Sequence, residues 1–212
     1  LKSNPAVVAI YSFDELDILD DVGIERTSIK RLGIPKASLP TSLNKYESND
    51  ILNVGTLFMP DLDALALFIP DLIIIGGRSS GAYDQLKEEF PYADILDVGL
   101  VYGEYIEGIE QNVQNLSQLF SSVEEDLIAS FNDIKNNLLV IKETASQYEA
   151  LFVMVNGDAL SFYGPNGRFA VLYDEFGFIA SDPLSEEGGS HGNVVAYEYV
   201  KSVNPEILFL LD

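Results

Sequence analysis

Short apolar runs alternate along the chain with stretches whose apolar positions recur at helical spacing, the pattern of an α/β protein. "AVVAIYS" (6–12) reads as a first buried strand, and "FDELDILDDVG" (13–23) as a short helix stopped at Gly23. "DLIIIGG" (71–77) and "ADILDVG" (93–99) read as further buried strands. Between them "AYDQLKEEF" (82–90) has helical spacing and ends before Pro91. From about Tyr105 the pattern changes. "YIEGIEQNVQNLSQLF" and "SVEEDLIASFNDIKNNLLVIKETAS" read as two consecutive helices. The second covers 122–146, with Ser121 or Ser122 as its cap and Glu124 and Glu125 in its first turn. Strand-like runs then return as "ALFVMV", "ALSFYG" and "EILFLLD".

The expected fold class is therefore α/β: two lobes, 1–118 and 148–212, bridged by one long α-helix within 119–147. A weak internal repeat supports two related lobes. "PDLDALALFIPDLIIIGG" (60–77) resembles "VAYEYVKSVNPEILFLLD" (195–212). In each, an acidic residue on a short helix, Asp63 or Glu198, lies seven positions before a proline, Pro70 or Pro205. An acidic residue and a buried strand follow. The first copy runs on into "GGRSSG", whereas the second reaches Asp212 where that loop would begin, so the second lobe is expected to be incomplete at its C-terminus.

Charge narrows the partners. With 34 acidic residues against 12 basic ones, the formal charge is −22, which opposes nucleic acid and anionic membranes. A small anionic ligand remains open, because it needs only a few well-placed cations. Cysteine is absent, which excludes disulfides, thiolate nucleophiles and zinc–thiolate sites. No apolar run approaches the ~20 residues of a membrane span. The start at Leu1 suggests a processed chain from which a signal segment has been removed.

Ligands of open α/β sheets bind beyond the carboxyl ends of the strands. Arg78 in "GGRSSG" and Arg168 in "YGPNGRF" fall at such places, in loops whose glycines let backbone approach a ligand. Guanidinium offers forked donors to oxygen anions. Against this stands the plainer reading of two surface arginines in exposed loops. His191, the single histidine, lies in "EEGGSHGN" and reads equally as a surface imidazole. "GGRSSG" lacks the dinucleotide spacing and has no Walker lysine. No G-x-S-x-G elbow is present, and one histidine cannot build a zinc site. The acidic runs read as solvated helix faces. These residues favour binding over catalysis.

Taken in order, "GTLFMPDLDALALFIPDLIIIGGRSSGAYDQL", the long helix, "ALSFYGPNGRFAVLYDEFGF" and "HGNVVAYEYVKSVNPEILFLLD" resemble the siderophore-binding proteins of bacterial ABC iron importers. The likeness is to the catecholate type, which includes petrobactin and enterobactin binders. It runs over essentially the whole chain. It is carried most specifically by G-P-x-x-R-F and H-G-x-x-x-x-x-E. The resemblance implies two Rossmann-like lobes joined by a long helix, with the ligand in the cleft between them. It implies binding of a ferric siderophore and delivery to a membrane permease, with no intrinsic cofactor and no catalysis. By motif, Arg78 and Arg168 match arginines that contact catecholate oxygens. His191 matches a histidine that coordinates iron when the siderophore leaves positions vacant. Asp63 and Glu198 match the acidic residues that pair with permease arginines. Members of the family continue past the strand ending at Asp212, with a further cleft arginine and an iron-coordinating tyrosine.

The expected protein is thus a monomer in the periplasm or on the outer face of the cytoplasmic membrane, with lipid anchoring left open. Competing readings are a binder of haem, cobalamin or another metal chelate on the same fold, and an α/β enzyme.

Overall fold

The computed structural model describes residues 1–101, 103–165, 167–182 and 192–212. The chain divides into two compact units, Leu1–Leu100 with Gly108–Phe131, and Val101–Glu107 with Asn132–Asp212.

The first unit is built on five parallel strands. β1 (Val7–Ile10), β2 (Arg31–Ile34), β3 (Leu52–Asn53), β4 (Leu72–Ile75) and β5 (Asp94–Asp97) lie in the order β3-β2-β1-β4-β5. Helix α1 (Phe13–Asp21) follows β1, α2 (Leu62–Phe68) precedes β4, and α3 (Tyr83–Glu89) joins β4 to β5. The central strands read as unbroken apolar runs because both their faces are covered. Ala9, Tyr11, Ile73 and Ile75 pack on Leu65, Phe68, Leu86 and Phe90 of the helical layer. The alternate residues Val8, Ile10, Leu72 and Ile74 are equally buried. β2 and β3 carry few apolar positions and went unread in the sequence. They are held by pairing, Val7 beside Arg31 and Gly33 beside Leu52.

Two long helices follow, α4 (Tyr105–Leu119) and α5 (Glu124–Ala145). A 3-10 turn at Ser121–Val123 leads into α5, so the helix proper opens at Glu124, with Glu124, Glu125 and Asp126 against the positive end of its dipole. The change of unit falls inside both helices. Among the described residues no helix is long and apolar enough to cross a membrane.

The second unit holds β6 (Glu149–Asn156), β7 (Ala159–Tyr163), α6 (Val171–Asp174), β8 (Ile179–Ala180), β9 (Asn193–Val195), α7 (Tyr197–Val203) and β10 (Ile207–Leu211). Its sheet runs β10-β6-β7-β9, with β8 also on β6. Unlike the first sheet it is mixed. β6 and β7 form an antiparallel hairpin across Gly157–Asp158, and β9 pairs antiparallel with β7. Gly157 at φ +59° supplies the positive φ that so short a hairpin turn needs. Leu151, Val153, Leu160 and Phe162 face Tyr199, Val200 and Val203 on one side. Ala150, Leu172 and Tyr173 pack with Phe152, Phe178, Ile207 and Phe209 on the other.

The internal repeat is structural. α2 and α7 are both seven residues long, with Asp63 and Glu198 at their second positions. Each ends on a left-handed residue, Ile69 (φ 52°) and Asn204 (φ 50°), directly before the proline. The acidic residue after each proline does the same work. Asp71 Oδ2 accepts from the Ala6 and Val7 amides at 2.9 and 3.0 Å, tying the start of β4 to β1. Glu206 Oε2 accepts from the Glu149 amide at 2.9 Å, tying β10 to β6. The amides of Ala6 and Val7 hold the Asp71 carboxyl below the usual carboxylate range.

Candidate functional site

All strands of the first sheet run parallel, so the loops after β1, β3, β4 and β5 gather at one edge. Arg78 lies there, in the turn Gly77–Ala82 after β4. Gly77 has φ +53°, a region where a side chain would be strained. Ser79 is buried, and its Oγ accepts from the Gly76 amide at 2.9 Å. Ser80 Oγ donates to Asp97 Oδ1 at 2.8 Å, and the same oxygen accepts from the Gly99 amide at 2.9 Å. The loop is therefore fixed on both sides of Arg78, whose own side chain stays exposed.

The loop after β3 meets it. Thr56 closes a tight turn: its amide donates to the Met59 carbonyl at 3.0 Å, and its Oγ1 accepts from the amides of Phe58 and Met59 at 3.3 and 3.1 Å. Asp61 follows as the N-cap of α2, accepting from the Ala64 amide at 3.0 Å. The Arg78 guanidinium stands 5.1 Å from the centre of the Phe58 ring. Sequence reasoning missed Phe58. It lies inside a stretch that carries the family resemblance, but a phenylalanine reads as core unless the fold shows it outside.

Glu15, in the first turn of α1, is a buried acid at the same edge, with 4% of its surface exposed. Asn112 of α4 donates to its Oε1 at 3.3 Å and to the Val98 carbonyl at 2.8 Å, while Oε2 has no partner among the described residues. Burial pushes its carboxyl up to about 6. Asn112 bridges α1 and the end of β5, so the group is better placed to set the packing of this edge than to meet a ligand.

In the second unit Arg168 lies between β7 and α6. Its carbonyl accepts from the Tyr105 hydroxyl at 2.9 Å, and its guanidinium stands 5.2 Å from the Phe169 ring centre. Phe169 stacks on Phe152 at 4.2 Å and meets Tyr163 edge-on at 4.9 Å. Tyr173 secures this cluster by donating to the Tyr163 carbonyl and accepting from the Phe152 amide, and burial pushes its phenol up to about 12.

The other two arginines lie away from these loops. Arg26 pairs with Asp126 at 2.6 Å, and Arg31 covers Phe68 at 4.9 Å. Neither Arg78 nor Arg168 has a carboxylate partner among the described residues, in a chain with 34 acidic side chains. Asp63 and Glu198 are exposed on α2 and α7. His191 lies outside the described residues. Its neighbour Gly192, at φ +66°, sits so tightly on the Tyr163 ring that an added Cβ would come within 2.8 Å of it. Among the described residues no group of three or more His, Asp or Glu side chains is arranged to hold a metal ion.

No protein-family model matches the chain. The chain is 31% identical over 214 residues to the petrobactin-binding protein YclQ of Bacillus subtilis, covering 100% of itself and 65% of that protein. It is 24% identical over 218 residues to the ferric-anguibactin-binding protein FatB of Vibrio anguillarum, with the same coverage. The crystal structure of YclQ matches with a TM-score of 0.88 at 30% identity, over 100% of this chain and 72% of that one. The periplasmic catecholate-siderophore-binding protein VctP of Vibrio cholerae matches with a TM-score of 0.85 at 30% identity, over 99% and 73%. The chain thus spans 65% of the length of the curated relatives it matches.

Proposed function

Because this chain belongs to the family of siderophore-binding proteins of bacterial ABC iron importers, we propose that it binds a ferric siderophore of the catecholate type and delivers it to a membrane permease. The family is one of binding proteins rather than enzymes, and the proposed protein works outside the cytoplasmic membrane with no intrinsic cofactor. The observation that carries the reading is the place of two exposed arginines, Arg78 and Arg168, each in a glycine-containing loop that follows a strand. Deprotonated catecholates coordinated to Fe(III) leave a net anion, which a surface of charge −22 would repel. Arg78 in the first unit and Arg168 in the second each make the field around them less negative, both exposed and, among the described residues, without a carboxylate partner. Guanidinium also binds flat against aromatic rings. Relatives named for petrobactin and catecholate siderophores support the ligand class.

His191 is proposed as a direct Fe(III) ligand for chelates that leave coordination positions open. Asp63 and Glu198 are proposed to pair with basic residues of the permease. The chain has 11 tyrosines and no tryptophan, so quenching of tyrosine emission reports binding. Titration with a ferric bis-catecholate should give saturable quenching. Failure to bind it, or tighter binding of haem or cobalamin, overturns the reading.

A further inference from the structure

Among the described residues three arginines stand over phenylalanine rings, and they are not equivalent. Phe68, beneath Arg31, is 2% exposed and belongs to the core. Phe169, beneath Arg168, has its face stacked on Phe152. Phe58, beneath Arg78, is 70% exposed. An exposed aromatic ring costs hydration free energy, and loop tips usually carry small polar residues instead. This one is also held rigidly. Its turn is closed by Thr56, and Gly55 at φ +112° leaves no room for a Cβ, which would meet Asp61 N and Met59 O at 2.6 Å. Beneath the turn, the Val54 carbonyl accepts from the buried Tyr11 hydroxyl at 2.6 Å. Arg78 is fixed independently through Ser79 and Ser80. Two separately braced loops therefore hold one cation over one exposed ring at the carboxyl edge of the sheet, where ligands of such sheets bind.

We infer that Phe58 and Arg78 form an aryl-anion subsite, Phe58 packing on an aromatic ring of the ligand while Arg78 takes that ring's oxyanions. This rests on the proposed function and adds what selects the ligand: a chelate whose iron-binding groups are aromatic, over one whose oxygens come from aliphatic carboxylates. Arg78 serves both kinds of anion, whereas Phe58 rewards only the flat one. A polyanionic partner is opposed by the net charge.

The test compares two probes, the Fe(III) complex of a linear bis-catecholamide and ferric citrate, by tyrosine quenching with calorimetry as a check. Phe58→Ala and Phe58→Leu should each weaken the catecholate complex about tenfold, the scale of one aromatic pairing, and change ferric citrate less than twofold. Phe58→Tyr should restore the catecholate affinity. Equal weakening for both probes would overturn the subsite as a selective element. Unchanged catecholate affinity would overturn it too, assigning the exposed ring to a protein partner and leaving the proposed function standing. No catecholate binding by the unsubstituted protein would overturn both. Phe58 contributes little to the core, so melting temperatures should agree among the variants.

Discussion

Arg78 and Arg168 are alike in chemistry and differ in footing: one is braced by serines in a glycine turn, the other carried on an aromatic cluster. Removing either from a desolvated ligand contact should cost about 2–5 kcal/mol of binding. Arg→Lys should also weaken binding, because ammonium reproduces neither the fork nor the stacking. Calorimetry with a ferric bis-catecholate checks this, and unchanged affinity for both alanine variants would place the site elsewhere. For His191, the expected outcome is selective. His191→Ala should weaken a tetradentate chelate much more than a hexadentate one, since only the former leaves Fe(III) positions for an imidazole nitrogen. The difference should fade as pH falls below ~6.5, where imidazolium cannot ligate. Equal losses for the two chelates would return His191 to the surface.

Glu15 carries a pH dependence of its own. Its carboxyl sits near 6 when folded, above an ordinary value of 4.5, so folding favours the protonated form. The associated stability, about 2 kcal/mol, is fully present below pH 4.5 and lost as pH rises through 6. Glu15→Gln should abolish that loss. Urea midpoints at pH 4.5 and 7.5 for the two proteins read it directly.

At the scale of elements, the repeated helix–proline–strand device makes a prediction in each copy. Its joint is a left-handed residue, and a β-branched side chain fits that conformation poorly. Ile69 is 60% exposed, so little packing offsets the strain. Ile69→Gly should therefore raise stability by about 1 kcal/mol, seen as a higher melting temperature, while Asn204→Gly changes little because asparagine tolerates the region. The device was legible in the sequence because its parts are local: a helix of fixed length, a proline and an acidic residue. β2 and β3 were not legible, having too few apolar residues to announce themselves. The hairpin of β6 and β7 read as two strands, but their antiparallel pairing depended on a two-residue turn at Gly157.

For the whole molecule the question is how the −22 charge is used. Asp63 and Glu198 occupy matching positions on α2 and α7, exposed, in helices that repeat one another. Exposed carboxylates contribute little to stability, so the proposed docking role can be tested apart from folding. Asp63→Ala with Glu198→Ala should leave chelate affinity and melting temperature unchanged and abolish iron-siderophore uptake by cells. Loss of chelate affinity in the double variant would remove the docking assignment.

What the sequence determined by itself was everything that rests on local pattern. Continuous apolar runs marked β1 and β4 as strands buried on both faces, a shorter apolar pair marked the half-buried edge strand β5, helical spacing marked α4 and α5, and glycine-rich loops after strands singled out Arg78 and Arg168 as candidates. The same residues, in order, carried the family resemblance. The tertiary structure alone decided which of these groups were still free to act. Arg26 is chemically identical to Arg78 and Arg168, and only folding brings Asp126 to it. Phe58 is the same case seen from the apolar side, since a phenylalanine in a strand-to-helix loop is core by default. Whether a side chain is satisfied or exposed depends on neighbours far away in the chain, and those are set by sheet order and loop closure rather than by any pattern within its own segment.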